Sequence, residues 1–155
     1  MDKSISISLT NSVTLRNVME ADLPIFYEHQ LDTDATRMAG FPSRDRDAFM
    51  VHWKKIMSNQ SNILKTILFR GQVAGNIVSW EQGDDQEIGY WLGKEYWGQG
   101  IATAALTEFL ILIKIRPLYA HVVKHNTASK RVLEKGGFVV CREDGEEVVL
   151  ELKAA

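Results

Sequence analysis

Glu87-Ile88-Gly89-Tyr90-Trp91-Leu92-Gly93-Lys94-Glu95-Tyr96-Trp97-Gly98-Gln99-Gly100-Ile101-Ala102-Thr103 is the stretch that decides how this chain reads. Glu87 to Leu92 reads as a strand, Gly93 to Gly100 as a glycine-rich connection, and Ile101 to about Lys114 as a helix. The helix spacing puts Ile101, Ala105, Phe109, Leu112 and Ile113 on one apolar stripe. A strand entering a helix through Gly98-Gln99-Gly100 suits an anion. Glycine lets backbone N–H groups approach a ligand with no side chain between. The first helical turn adds unpaired amides and the positive end of the dipole, and together they fit a pyrophosphate. Two other phosphate motifs do not fit. The third glycine of a dinucleotide fingerprint falls on Thr103, and no Gly-Lys-Ser/Thr of a Walker loop occurs. A Gly-x-Gly at a helix entry is also an ordinary tight-turn former, so the loop alone does not name its ligand.

Upstream, Ile63 to Arg70 and Val73 to Trp80 read as a hairpin turning at Gly71-Gln72. Gly83-Asp84-Asp85 turns the chain into Glu87 to Leu92, the third strand of a meander. Further upstream, Ile5, Ile7 and Leu9 alternate with serine as in a strand, with Val13 and Leu15 continuing or pairing with it. Glu20 to Asp32 reads as a helix, with Pro24 in its first turn. A polar loop at Asp32 to Arg37 follows, and Ser43 is placed to cap a helix carrying Phe49, Trp53, Ile56 and Met57. Downstream, Leu118 to Val123 is a strand. Asn126 caps a short helix through Lys135, which Gly136-Gly137 ends. Phe138 to Arg142 and Glu146 to Leu152 form a last hairpin around Asp144-Gly145. The expected order is β-α-α-β-β-β-α-β-α-β-β, one mixed α/β domain over residues 1–155.

The chain has 155 residues, 45% hydrophobic and 25% charged, a balance that makes a globular core and excludes disorder. The net charge of −2 offers no basic face for a polyanion, so nucleic acid is not an expected partner. No apolar run is long enough for a bilayer, and the serine-interrupted N-terminus is not a signal peptide. The one cysteine, Cys141, has no partner for an intrachain disulfide. A cytoplasmic location is the expectation. His29, His52, His121 and His125 show no paired metal spacing, and with a single thiol no metal site is expected.

Two further patterns carry a family resemblance. Trp97-Gly98-Gln99-Gly100-Ile101-Ala102 resembles the Arg/Gln-x-x-Gly-x-Gly/Ala signature of the GNAT acetyltransferases. Asn126-Thr127-Ala128-Ser129, on a helix ending in Glu134-Lys135-Gly136-Gly137-Phe138, resembles their second signature. The element order is similar to that fold across nearly the whole chain. Glu87-Ile88-Gly89-Tyr90-Trp91 resembles the branch that includes RimL-type ribosomal-protein N-terminal acetyltransferases. The chain departs from the family at Trp97, where many relatives carry Arg or Gln, and at Leu133, where many place a tyrosine acid.

The resemblance implies direct transfer of an acetyl group from acetyl-CoA to a primary amine in a ternary complex. It implies a splayed strand pair, Glu87 to Leu92 and Leu118 to Val123, with pantetheine held by backbone at Tyr90, Trp91 and Leu92. Gly98, Gln99, Gly100, Ile101, Ala102 and Thr103 would hold the pyrophosphate, with Trp97 beside them at the cofactor and Asn126 and Ser129 touching the pantetheine end. Glu87 is the candidate base and Ser129 the candidate donor to the departing thiol. Tyr119 is a second candidate acid, and Lys130, Arg131 and Lys135 are candidates for the 3′-phosphate. Trp53, Trp80, Trp91 and Trp97 read as core or cleft wall.

The acceptor is a small amine or a protein N-terminus. Asp32, Asp34, Asp45 and Asp47 make the segment expected to shape its site acidic, a hint of a cation. The alternative is a non-catalytic CoA-binding module of the same fold. A homodimer through the C-terminal hairpin is left open.

Overall fold

β-Branched and aromatic residues assemble one seven-stranded sheet in the computed structural model, which describes residues 12–40 and 42–154. The strands are β1 (Val13–Asn17), β2 (Ile63–Phe69), β3 (Gln72–Gln82), β4 (Asp85–Leu92), β5 (Leu118–Val123), β6 (Val139–Asp144) and β7 (Glu147–Leu152). Their order across the sheet is β1-β2-β3-β4-β5-β7-β6. β1 to β4 form an antiparallel meander, β5 joins β4 in parallel, and the final hairpin pairs β5 through β7. Arg70 and Gly71 turn β2 into β3 with φ of 52° and 79°, the positive values that a two-residue hairpin demands.

Among the described residues, five α-helices cover the two faces: α1 (Leu23–Leu31), α2 (Thr33–Ala39), α3 (Arg46–Ser58), α4 (Ile101–Leu112) and α5 (Thr127–Lys135). Successive strand residues point to opposite faces, and β3 shows the division. Ile77 packs with Ile88, Leu106 and Phe109 under α4, whereas Val78 packs with Phe26, Phe49 and Trp53 of α1 and α3. Burying a side chain such as Phe109 or Phe26 contributes about 1.5–3 kcal/mol.

The region before β2 differs from the sequence reading. The helix expected over Glu20 to Asp32 is a 3-10 turn, Glu20–Asp22, followed by α1. The expected polar loop at Asp32 to Arg37 is instead α2. Asp32 caps it, accepting from the Ala35 N–H at 3.0 Å. The cap of α3 is Asp45, accepting from the Ala48 N–H at 2.8 Å, not Ser43. Both aspartates satisfy orphan helix amides, a use that a polar composition does not distinguish from a loop. In α4 the stripe is completed by Leu106, while Leu112 is exposed. The strand expected at Ile5 to Leu9 lies outside the described residues.

Asp22 anchors the α1 face. It is 2% exposed and accepts from Arg16 Nη1 and Nη2 at 2.7 and 2.8 Å, Thr66 Oγ1 at 2.6 Å and the Met19 N–H at 2.9 Å. These bonds tie the entry of α1 to β1 and β2. No helix among the described residues is long and apolar enough to cross a membrane.

Candidate active site

β4 and β5 share only two rungs, Gln86 with Leu118 and Glu87 with Tyr119. Past Glu87 the strands diverge, and the β4–β5 ladder ends. The gap is a V-shaped cleft formed by two adjoining cavities, about 200 and about 300 Å³. Tyr90, Trp91, Asn126 and Ser129 line both.

At the mouth, Gly98 and Gly100 have φ of 72° and 78°, where side chains are rarely tolerated. A Cβ at either would meet nothing within 4 Å, so the loop is open to a ligand. Gly100 is the N-cap of α4 and offers no side-chain cap, leaving the amides of Ile101, Ala102 and Thr103 for an outside acceptor. The Ile101 side chain is in the core, so only its backbone faces this way. Trp97 lines the cleft and donates from Nε1 to the Leu92 carbonyl at 3.1 Å. The Gln99 side chain turns to the Glu95 carbonyl instead.

On the opposite wall, Asn126 caps α5, its Oδ1 accepting from the Ser129 N–H at 3.1 Å. Tyr90 donates its phenolic hydrogen to Ser129 Oγ at 3.0 Å. That bond leaves the Ser129 hydroxyl hydrogen available to another acceptor. Burial pushes the Tyr90 phenol above its ordinary value. The sequence reading used only the Tyr90 backbone, and missed the phenol because β4 and α5 meet only in three dimensions. Leu133 sits buried in the core beneath this wall.

At the vertex, Glu87 is 5% exposed. Its Oε1 lies 3.3 Å from His121 Nε2, and His121 Nδ1 lies 3.3 Å from Glu147 Oε1. Burial raises the Glu87 carboxyl above its ordinary value; His121 and Arg142 pull it back and Asp85 and Glu147 add to it. His121 was missed by sequence reasoning. Its only signal was alternation along β5, which sets it on the same face as Tyr119. His121, Asp144 and Glu147 also bring one ligand-capable atom each within 4.8 Å of one another, a grouping that sequence spacing does not announce.

Other candidates lie apart from the cleft. Tyr119 donates to Glu151 Oε2 at 3.1 Å and lines a separate hollow with Glu81, Asp84 and Asp85. The acidic segment is not aimed inward either. Asp32 and Asp45 are helix caps, and Asp34 pairs with Lys94 and Arg37.

A helix N-terminus open to an anion thus stands beside splayed strands that carry a buried carboxyl and a hydroxyl pair. Residues 12–139 match the model of a family described as "Acetyltransferase (GNAT) domain". The chain belongs to the GNAT acetyltransferase family, and its mixed α/β sheet is that family's fold. Solved structures agree on the fold. A RimL ribosomal L7/L12 α-N-protein acetyltransferase in complex with coenzyme A superposes with a TM-score of 0.77 at 18% identity, covering 94% of this chain and 96% of that one. AAC(6′)-Ib in complex with paromomycin and acetyl-CoA gives 0.80 at 18% identity, covering 92% and 93%. A GNAT-family acetyltransferase from Bacillus anthracis gives 0.76 at 19% identity, covering 92% and 95%. No curated protein matches the chain in sequence.

Proposed function

We propose that the protein moves an acetyl group from acetyl-CoA to a primary amine by direct attack in a ternary complex, with Glu87 as base and Ser129 on the thiol side. The observation that carries this is that one cavity is lined both by His121, which stands 3.3 Å from the buried Glu87 carboxyl, and by the hydrogen-bonded Tyr90–Ser129 pair. A module that only held CoA would need neither.

Acetyl-CoA supplies a thioester carbonyl that an amine can attack. The amides at Gly98 to Thr103 suit its pyrophosphate, and the edge of β4 beyond its last rung with β5 suits its pantetheine arm and can polarise the carbonyl. An aliphatic amine is mostly protonated near neutrality, with an ordinary pKa of ~8 to ~10. Glu87, raised by burial, is a stronger base than a surface glutamate and can take that proton. His121 stands next to receive it, and Glu147 holds the imidazole's other nitrogen. As the C–N bond forms and the C–S bond breaks, Ser129 donates its hydroxyl hydrogen bond to the departing sulfur while Tyr90 donates to Ser129. Holding amine and thioester together supplies much of the acceleration, an effect worth about 7–11 kcal/mol at its best.

Initial rates over a grid of acetyl-CoA and amine concentrations test this. Intersecting reciprocal plots are expected; parallel plots with an acetylated enzyme would contradict direct transfer.

A further inference from the structure

We infer that the acceptor is a single primary amine carried on a flat apolar body, aromatic in the best-fitting case, seated against Trp80. This rests on the acetyl-transfer reading above and goes beyond it by naming the class of acceptor.

Trp80 lies opposite Glu87 in the β3–β4 register. Two residues along β4, Gly89 leaves the strand bare, and a Cβ there would touch the Trp80 ring at 3.4 Å. The indole therefore crosses β4 and walls the larger cavity beside the buried carboxyl. Trp91, Val78 and Val123 line the cavity on the same face. Its described lining contains no Asp, Glu, Lys or Arg. Glu87 stands just behind this lining, 3.3 Å from His121, which does line the cavity, so the cavity itself offers an ammonium no cluster of carboxylates.

A polycation needs several carboxylates, and the acidic segment does not supply them. Asp32 and Asp45 cap helices and Asp34 is paired with Lys94 and Arg37. The cavity, about 300 Å³, is at the small end for ligand sites and suits one ring with a short chain. A planar indole offers such a ring stacking or edge contact.

The experiment is thiol release from acetyl-CoA with phenethylamine, n-butylamine, spermidine, an aminoglycoside and an alanine-initiated hexapeptide. We expect kcat/KM for phenethylamine to exceed each of the others by ~10-fold or more. Trp80→Ala should cut the phenethylamine-to-butylamine ratio by ~10-fold, and Trp80→Phe should retain most of it. The Phe variant carries the test if the Ala variant does not fold, because Trp80→Leu then supplies the non-aromatic comparison. Preference for spermidine, aminoglycoside or peptide, or a ratio that Trp80 substitutions leave unmoved, would overturn the inference while leaving acetyl transfer standing. Absence of acetyl-CoA binding together with no turnover on any amine would sink the underlying reading, and this inference with it.

Discussion

Glu87 Oε1 lies 3.3 Å from His121 Nε2 just beyond the last rung that β4 and β5 share. The carboxyl is buried and the imidazole stands at the rim, so the pair links the cleft vertex to Glu147 at the surface. A raised carboxyl beside a titratable ring is an arrangement for passing a proton.

Glu87→Gln should lower kcat/KM by about 100-fold and remove the acidic limb that belongs to the carboxyl, leaving only the amine's own titration. It should also raise the melting temperature at neutral pH. A carboxyl whose folded pKa is raised costs stability as pH climbs above its unfolded value of 4.5, and the cost is constant once pH passes the raised folded value. The stabilisation by Gln should therefore shrink towards pH 4. A thermal scan at several pH values, alongside rates, checks both halves; an unaltered pH–rate profile would remove Glu87 as base.

His121→Gln keeps a hydrogen-bonding side chain but cannot titrate. Losing the His121 ring removes an influence that lowers the Glu87 carboxyl, while Asp85, Arg142 and Glu147 remain. The acidic limb of kcat/KM should move to higher pH and kcat should fall about 10-fold. A limb that stays in place would show that the two groups are not coupled.

Ser129→Ala should lower kcat about 10-fold with KM for acetyl-CoA changed by less than about twofold, the pattern of an interaction made mainly in the transition state. Tyr90→Phe should act in the same direction more weakly, because it removes only the donor behind Ser129. Steady-state kinetics separate the two parameters; a pure KM effect would make Ser129 a binding contact alone.

Asp22→Ala should destabilise the protein by roughly 1–3 kcal/mol, the cost of leaving the buried Thr66 hydroxyl and the Met19 N–H without their acceptor while half-exposed Arg16 returns to solvent. Burial pushes the Asp22 carboxyl up, but the hydrogen bonds from Arg16, Thr66 and Met19 together hold it below its ordinary value of 3.8. Its contribution is thus present above that pH and lost as pH falls through the lower folded value. Denaturant midpoints of variant and wild type should converge in acid; a gap unchanged down to pH 2 would contradict the network.

The sequence was most legible where backbone chemistry leaves a residue-level trace. Gly98, Gly100 and the Asn126 cap are demanded by local geometry, so the phosphate-loop candidate and the start of α5 could be read directly. Glu87 stood out because it opens the strand read as lining the cleft, where the resembled family can place a glutamate base, although β4 itself starts two residues earlier, at Asp85. Contacts between distant segments left no such trace. Tyr90 meets Ser129 and Glu87 meets His121 only after β4 and β5 splay, and neither spacing is periodic. α2 was hidden because its Asp32 cap and polar surface read as a loop. The same acidic residues suggested a cationic acceptor, whereas Asp32 and Asp45 serve as caps, Asp34 sits in a surface pair and Asp47 is exposed in the first turn of α3.

The most direct test of the account is a calorimetric titration of the wild type and Gly100→Trp with acetyl-CoA, with NAD as control. The account predicts micromolar acetyl-CoA binding to the wild type, no NAD response, and loss of binding in Gly100→Trp while its circular dichroism stays native. A wild type that ignores acetyl-CoA, or a folded Gly100→Trp that binds it equally well, would contradict the placement of acetyl-CoA on this loop.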